Sequence, residues 1–158
     1  MQNRDEFFMA RALTLANQAA LLGEVPVGAV VVMDGEIVAE AYNRRELDKN
    51  ALAHAELLAI DKACAKLGGW RLHKCELYVT LEPCPMCAGA IVNSRIKRVV
   101  IGAKDAKAGA LGSLINLNFY PLNHHPEVTF GVMETECAGA LREFFKNLRG
   151  RREKKKWK

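Results

Sequence analysis

His54, Cys84 and Cys87 are three metal-binding side chains that come from two separate stretches of this 158-residue chain, and Glu56 stands two residues after the histidine. If the three act together, any fold must bring residues 54 and 84–87 to one point. Two thiols and an imidazole are a mixed sulfur and nitrogen donor set, which favours zinc. Three donors leave one corner of a tetrahedron open, as a catalytic zinc requires and a structural zinc does not. A Cys-x-x-Cys pair alone is weak evidence, because thioredoxin-like redox sites share it. Here neither Trp nor Gly precedes the pair, Pro83 does, and the His-x-Glu lies upstream.

The surrounding pattern places these residues on helix ends. Glu76 to Leu81 reads as a strand, and a short helix from Cys84 to Ser94 follows, with Pro85 suited to its first position. Residues at i and i+3 of a first helical turn point to one side. The positive helix end also lowers thiol pKa values toward the metal-binding thiolate. His54 opens a second helical pattern that runs to Leu67 and stops at Gly68-Gly69.

The flanks complete an α/β alternation. Asn3 caps a first helix, with Glu6 at the reciprocal capping-box position, and Phe8, Ala12, Leu15, Ala16, Ala19 and Leu22 keep helical spacing up to Gly23. Val27 to Met33 is nearly all apolar and rich in valine, the mark of a strand buried on both faces. Asp34-Gly35 turns it back as a hairpin through Ile37 to Tyr42. Arg98 to Gly102 is a strand, and so tight a strand–helix–strand implies a parallel pair with a right-handed crossover. Arg44–Asn50 and Ala106–Ser113 read as loops, and Pro121 and Pro126 interrupt the stretch from Leu114. Val128 to Phe130 is a short last strand, and a final helix runs from Glu134 to about Leu148. The expectation is a single α/β domain over 1–150, a mixed sheet with helices on both faces, and a basic tail over 151–158.

Composition narrows the partners. Five cysteines, an odd number in a chain with no secretory leader, argue for a reducing cytoplasm rather than a disulfide framework. The longest apolar run, Val27 to Met33, is far short of the ~20 residues that span a bilayer, so no membrane partner is expected. The formal charge is +5, yet Arg142 to Lys158 holds nine Lys/Arg against two Glu. A basic end on a near-neutral body suits a polyanion through phosphate contacts, and equally a solvated helix end with no partner. His124-His125 reads as a polar loop pair rather than a second metal site, and Cys64, Cys75 and Cys137 as small apolar packing. Of the neighbouring Phe144 and Phe145, one is expected to be buried and the other nearer the surface.

The chemistry follows from the donor set. Three neutral ligands bring a zinc-bound water to a pKa of ~7. Two thiolates cancel most of the metal charge and acidify that water less, so a general base is needed, and Glu56 is placed to be one. A carboxyl that moves the protons of water to a ring nitrogen and then to a leaving amine performs hydrolytic deamination.

His54-Ala55-Glu56 with Pro83-Cys84-Pro85-Met86-Cys87 resembles the signature of the zinc-dependent cytidine/deoxycytidylate deaminase superfamily. Within it the chain is similar to bacterial tRNA-specific adenosine deaminases. The similarity runs through Glu24-Val25-Pro26-Val27-Gly28, Leu81-Glu82-Pro83-Cys84, Ser94-Arg95-Ile96, Gly102-Ala103-Lys104-Asp105-Ala106-Lys107 and Leu122-Asn123-His124. It departs where Ala51-Leu52 replace a common proline and threonine, and where Pro85 stands for a frequent valine. The resemblance implies a cytidine deaminase-like three-layer α/β/α sandwich on a central mixed five-stranded sheet. It further implies one zinc per subunit, a homodimer, and conversion of adenosine to inosine at the wobble position of a tRNA anticodon stem-loop. Carried over, His54, Cys84 and Cys87 are ligands, Glu56 is the proton shuttle, and Asn43 binds the flipped base or its ribose. Asp105, with Lys104 and Lys107, faces the anticodon loop, while Asn123 and the pair Phe144 and Phe145 shape the RNA surface. Without the resemblance, Asn43 and Asp105 are a turn residue and a loop residue. Two other functions stay open at this point: deamination of a free base or nucleoside such as guanine or cytosine, and a non-catalytic RNA-binding module with structural zinc.

Overall fold

Strands that are apolar on both faces need a covering layer on each side. The computed structural model, which describes residues 3–156, supplies both layers. Its elements are α1 (Arg4–Leu21), β1 (Gly28–Met33), β2 (Glu36–Tyr42), α2 (Ala55–Leu67), β3 (Cys75–Leu81), α3 (Pro85–Asn93), β4 (Arg98–Ala103), β5 (Glu127–Phe130) and α4 (Glu134–Lys156). The strands form a five-stranded sheet in the order β2-β1-β3-β4-β5. β1 is antiparallel to β2 and β3, whereas β3, β4 and β5 run parallel. Asp34 and Gly35 both take positive φ, 52° and 79°, the left-handed pair that joins tightly twisted strands.

Side-chain alternation sorts the core into two halves. Val30, Val32, Tyr78 and Val100 face Phe8, Met9, Ala12 and Leu15 of α1 and Cys137 of α4. Ala29, Val31, Leu77, Val79, Val99 and Ile101 face Ala55, Ala59 and Ala63 of α2 and Ala88 and Ile91 of α3. A Cβ at Gly28 would overlap the carbonyl oxygen of Ala12, so glycine is what lets α1 lie directly on the start of β1. No described helix is long and apolar enough to cross a membrane.

One element differs from expectation. The last helix continues to Lys156, because the arginines and lysines after Leu148 are good helix formers and their charge complements the helix C-terminus. The stretch from 114 is not wholly irregular: Leu111 bridges Asn116, and a 3₁₀ turn covers Leu117–Phe119.

A polar cluster pins α1 to the sheet. The Arg98 guanidinium forks onto Asp5 with bonds of 3.0 and 2.7 Å, and the Tyr78 hydroxyl donates to the same carboxylate at 2.8 Å. Arg98 also donates to Glu76 at 2.9 Å, and Arg4 does so at 2.7 Å. The Arg98 hydrogen bonds hold the Asp5 carboxyl below the usual carboxylate range. A carboxyl depressed in the folded state stabilises fully above its unfolded pKa and loses that contribution as pH falls through the folded value. Asp5→Ala should therefore lower the unfolding free energy by about 2 kcal/mol at neutral pH. Urea titrations at falling pH should show the gap to the parent closing in the acid range.

Candidate active site

One end of the sheet collects the chain segments that carry the chemistry. Val25 and Val27 precede β1, Asn43 follows β2, Glu82 and Cys84 follow β3, and Asp105 follows β4. Because β1 runs against β3 while β4 runs with it, all of these meet at the carboxyl end of β3, where α/β sheets place their sites.

Two helix N-termini enter this end. His54 is the N-cap of α2, with φ −78° and ψ 148°, and makes no side-chain capping bond, so its imidazole is left to face the thiols. Cys84 is the N-cap of α3, Pro85 begins the helix, and Cys87 lies in its first turn. His54 Nδ1 stands 3.7 Å from Cys84 Sγ and 3.6 Å from Cys87 Sγ. All three donor atoms lie within 4.8 Å of one another. Zinc bonds of about 2.3 Å to sulfur and 2.0–2.1 Å to nitrogen, set at tetrahedral angles, require nitrogen–sulfur edges of about 3.6 Å. The donor triangle has that size, so the residues fit a zinc ion with little rearrangement.

Electrostatics distinguish the four groups. The Cys87 hydrogen bond and then the His54 contact outweigh burial and pull the Cys84 thiol down to about 4. Cys87 is pushed up, first by its hydrogen bond to Cys84 and then by burial. Without metal, the hydrogen bond between the two sulfurs thus favours charge on Cys84 over charge on Cys87. His54 is raised, chiefly by Cys84. Glu56, in the first turn of α2 and only 4% exposed, is raised by burial.

His54, Glu56 and Cys84 line a cavity of about 160 Å³ together with Val25, Val27, Asn43, Arg45, Leu81, Asp105 and Ala108, whereas Cys87 is fully buried. Asn43 is buried; its Nδ2 donates to the Val25 carbonyl and its Oδ1 accepts from the Arg45 N–H, both at 3.2 Å. The Asp105 carboxylate accepts from the backbone of Lys107 at 3.0 Å and Ala108 at 3.1 Å, an Asx turn at the rim. Lys107 and Phe145 line an adjacent groove with Arg142, Lys146 and Arg149 instead of the cavity. Phe144 is half-buried and Phe145 exposed, their rings meeting edge to face at 5.4 Å. Asn123 is exposed and is not among the residues lining the cavity or that groove. His124 and His125 contact the carbonyls of Ile96 at 2.6 Å and Tyr120 at 2.8 Å. Arg45 was not singled out from sequence, although its place two residues after Asn43 was the available signal.

A His–Cys–Cys metal-binding group of the kind typical of zinc deaminases, at the strand ends of a cytidine deaminase-like sheet, defines a nucleobase deaminase class. The chain belongs to the MafB19-like deaminase family, which matches residues 2–149, and within it to the tRNA-specific adenosine deaminases. It is 54% identical to the tRNA-specific adenosine deaminase of Bacillus subtilis (strain 168), over 92% of this chain and 91% of that one. It is 48% identical to the enzyme of the same name from Haemophilus influenzae, over 96% and 87%. A structure from a study of A-to-I editing by tRNA:A34 deaminases superposes with TM-score 0.84 at 45% identity, covering 85% of this chain and 99% of that one. A guanine deaminase from Nitrosomonas europaea superposes with TM-score 0.75 at 27% identity, over 88% and 83%.

The thiol assignment has a direct chemical readout. In metal-free protein, iodoacetamide at about pH 6 should label Cys84 ahead of Cys64, Cys75 and Cys137, at a rate nearly flat with rising pH. Added zinc should suppress that labelling, and peptide mass mapping measures both effects.

Proposed function

We propose that this chain hydrolyses adenosine to inosine and ammonia at the wobble position of a tRNA. The observation that carries the proposal is the zinc-sized His54–Cys84–Cys87 triangle beside buried Glu56, within a chain so similar to tRNA-specific adenosine deaminases. One zinc per chain, held by His54 Nδ1 and the two Sγ atoms, would supply the Lewis acidity that activates water near neutral pH.

Glu56 takes one proton from water and gives it to purine N1 as oxygen adds at C6, then takes the second proton from the added hydroxyl and gives it to the departing amine. A carboxyl raised by burial holds each proton long enough to pass it on. Asn43 keeps one amide hydrogen and one lone pair free of the backbone bonds described above, enough to meet the base or its ribose. A cavity this small takes an unstacked base while the rest of the loop stays outside, as base flipping requires. Outside it, Asp105, Lys107, Asn123 and Phe145 would meet the anticodon stem-loop.

Arg142, Lys146 and Arg149 would take its phosphates, within a catalytic domain over 1–150 extended by the basic residues 151–158. Leu114, Ile115, Phe119, Tyr120 and Leu122 are exposed apolar residues of one short stretch, which a second copy in a homodimer would cover. Thiolate ligands suit a reducing cytoplasm.

A substrate panel tests the proposal. Zinc-loaded protein should deaminate an anticodon stem-loop, with rates falling steeply as salt is added. Turnover of free guanine, cytosine or adenosine without turnover of the stem-loop would replace this function with free-base deamination. Glu56→Gln should keep its zinc by metal analysis while kcat drops by about 10²- to 10⁴-fold. Zinc bound without any turnover in the parent would instead indicate a structural module.

A further inference from the structure

Two carboxylates at the site end of the sheet are almost sealed from solvent: Glu24 is 1% exposed and Glu82 is 2% exposed. Neither belongs to an ion pair among the described residues. A buried carboxylate without a cation is strongly disfavoured unless hydrogen bonds fill its lone pairs. Each does this with the backbone of a loop.

Glu24 accepts from the Glu46 N–H at 2.9 and 3.1 Å and from the Leu47 N–H at 3.1 Å. Those donors sit in the turn after β2 that carries Arg45. Glu82 accepts at Oε1 from the Asp105 N–H at 3.2 Å and from the Ser113 hydroxyl. Its Oε2 accepts from the N–H groups of Leu111 at 3.3 Å and Ser113 at 3.0 Å. A Cβ at Gly109 would strike this carboxylate, so the loop can wrap it only with glycine there. The arrangement is paired: the carboxylate at the site end of each central strand, β1 and β3, anchors the loop that leaves the outer neighbouring strand.

We propose that Glu24 and Glu82 are positioning residues that preset the two rim loops, fixing Arg45 and Asp105 across the cavity mouth for the anticodon loop. The inference rests on the function proposed above for its substrate. It asks these carboxylates to act on binding, not on the proton transfers of Glu56.

Steady-state kinetics of zinc-loaded parent, Glu24→Ala, Glu24→Gln, Glu82→Ala and Glu82→Gln on an anticodon stem-loop test it, together with hydrogen exchange of the loop amides. The alanine variants should raise KM about tenfold or more with kcat per bound zinc within about twofold of the parent. The amides of residues 46–47 and 105–113 should exchange faster in the respective variants. At 24 the Oε2 atom accepts from both N–H groups, so a glutamine carbonyl in its place keeps both bonds once the amide shifts off the Glu46 N–H, and Glu24→Gln should raise KM less than Glu24→Ala. At 82 each oxygen holds a donor that the other does not reach, so Glu82→Gln loses one of them whichever way its amide is turned and should resemble Glu82→Ala.

A merely structural role would lower kcat and melting temperature at unchanged KM, and that result overturns the proposal. Unaltered exchange of the Glu46 and Leu47 amides in Glu24→Ala also overturns it. If an alanine variant fails to fold, the two glutamine variants decide: a KM raised more in Glu82→Gln than in Glu24→Gln supports positioning, and any other pattern rejects it. A parent that leaves the stem-loop unchanged refutes the function instead, and the exchange measurement then judges the loop anchoring alone.

Discussion

The structure depends on holding two helix N-termini against one face of the sheet so that an imidazole and two thiols meet at a zinc-sized spacing. That requirement reaches far into the core. Ala55, Ala59 and Ala63 of α2 and Ala88 of α3 are fully buried against the sheet. Small side chains let helix and sheet approach closely, and a larger residue at any of these positions would lift a helix end. Pro85 contributes at the other ligand pair, since its fixed φ suits the first turn between Cys84 and Cys87.

The same geometry sets the electrostatics. Anionic sulfur at a helix N-terminus is favoured by the helix dipole, which here acts on Cys84 as the N-cap of α3. Glu56 also lies in a first turn, which favours its charged form, yet burial raises its pKa. Burial therefore prevails over the dipole at Glu56, whereas hydrogen bonding from Cys87 and His54 prevails over burial at Cys84. One group is left inclined to keep a proton and the other to give it up, the separation that the proposed shuttle and ligand roles require.

Much of this was legible in the sequence because it is local. A histidine before a helical pattern and a Cys-Pro-x-Cys after a strand specify their own backbone placement, and Asp34-Gly35 specifies its turn. What was illegible is tertiary. Lys107 lies only two residues after Asp105, yet the Asx turn between them sends it into the groove with Phe145 and leaves Asp105 at the cavity. Asn123 lies in a stretch interrupted by prolines, where no periodicity predicts which face it presents. The length of α4 was underestimated because charged residues without an apolar stripe give no periodic signal. Glu24 and Glu82 stood within recognisable blocks, but a lone glutamate before Val or Pro carries no mark of burial. Only the loop N–H groups they accept from reveal why they are inside.

The comparison with the guanine deaminase then acquires a physical meaning. A chain only 27% identical keeps the fold with TM-score 0.75, so the sheet accommodates more than one deaminase substrate. Substrate choice must therefore depend on parts that can change without disturbing the core. The exposed residues of the loops after β2 and β4 meet that condition, since the loops are held through their ends, the two buried carboxylates and, after β4, the core residues Ala110 and Leu111. Their sequences can vary while the donor triangle stays fixed, provided each loop still offers backbone N–H groups to its anchor. Backbone donors are available from almost any residue, so such an anchor constrains the path of a rim loop while leaving its side chains free to differ.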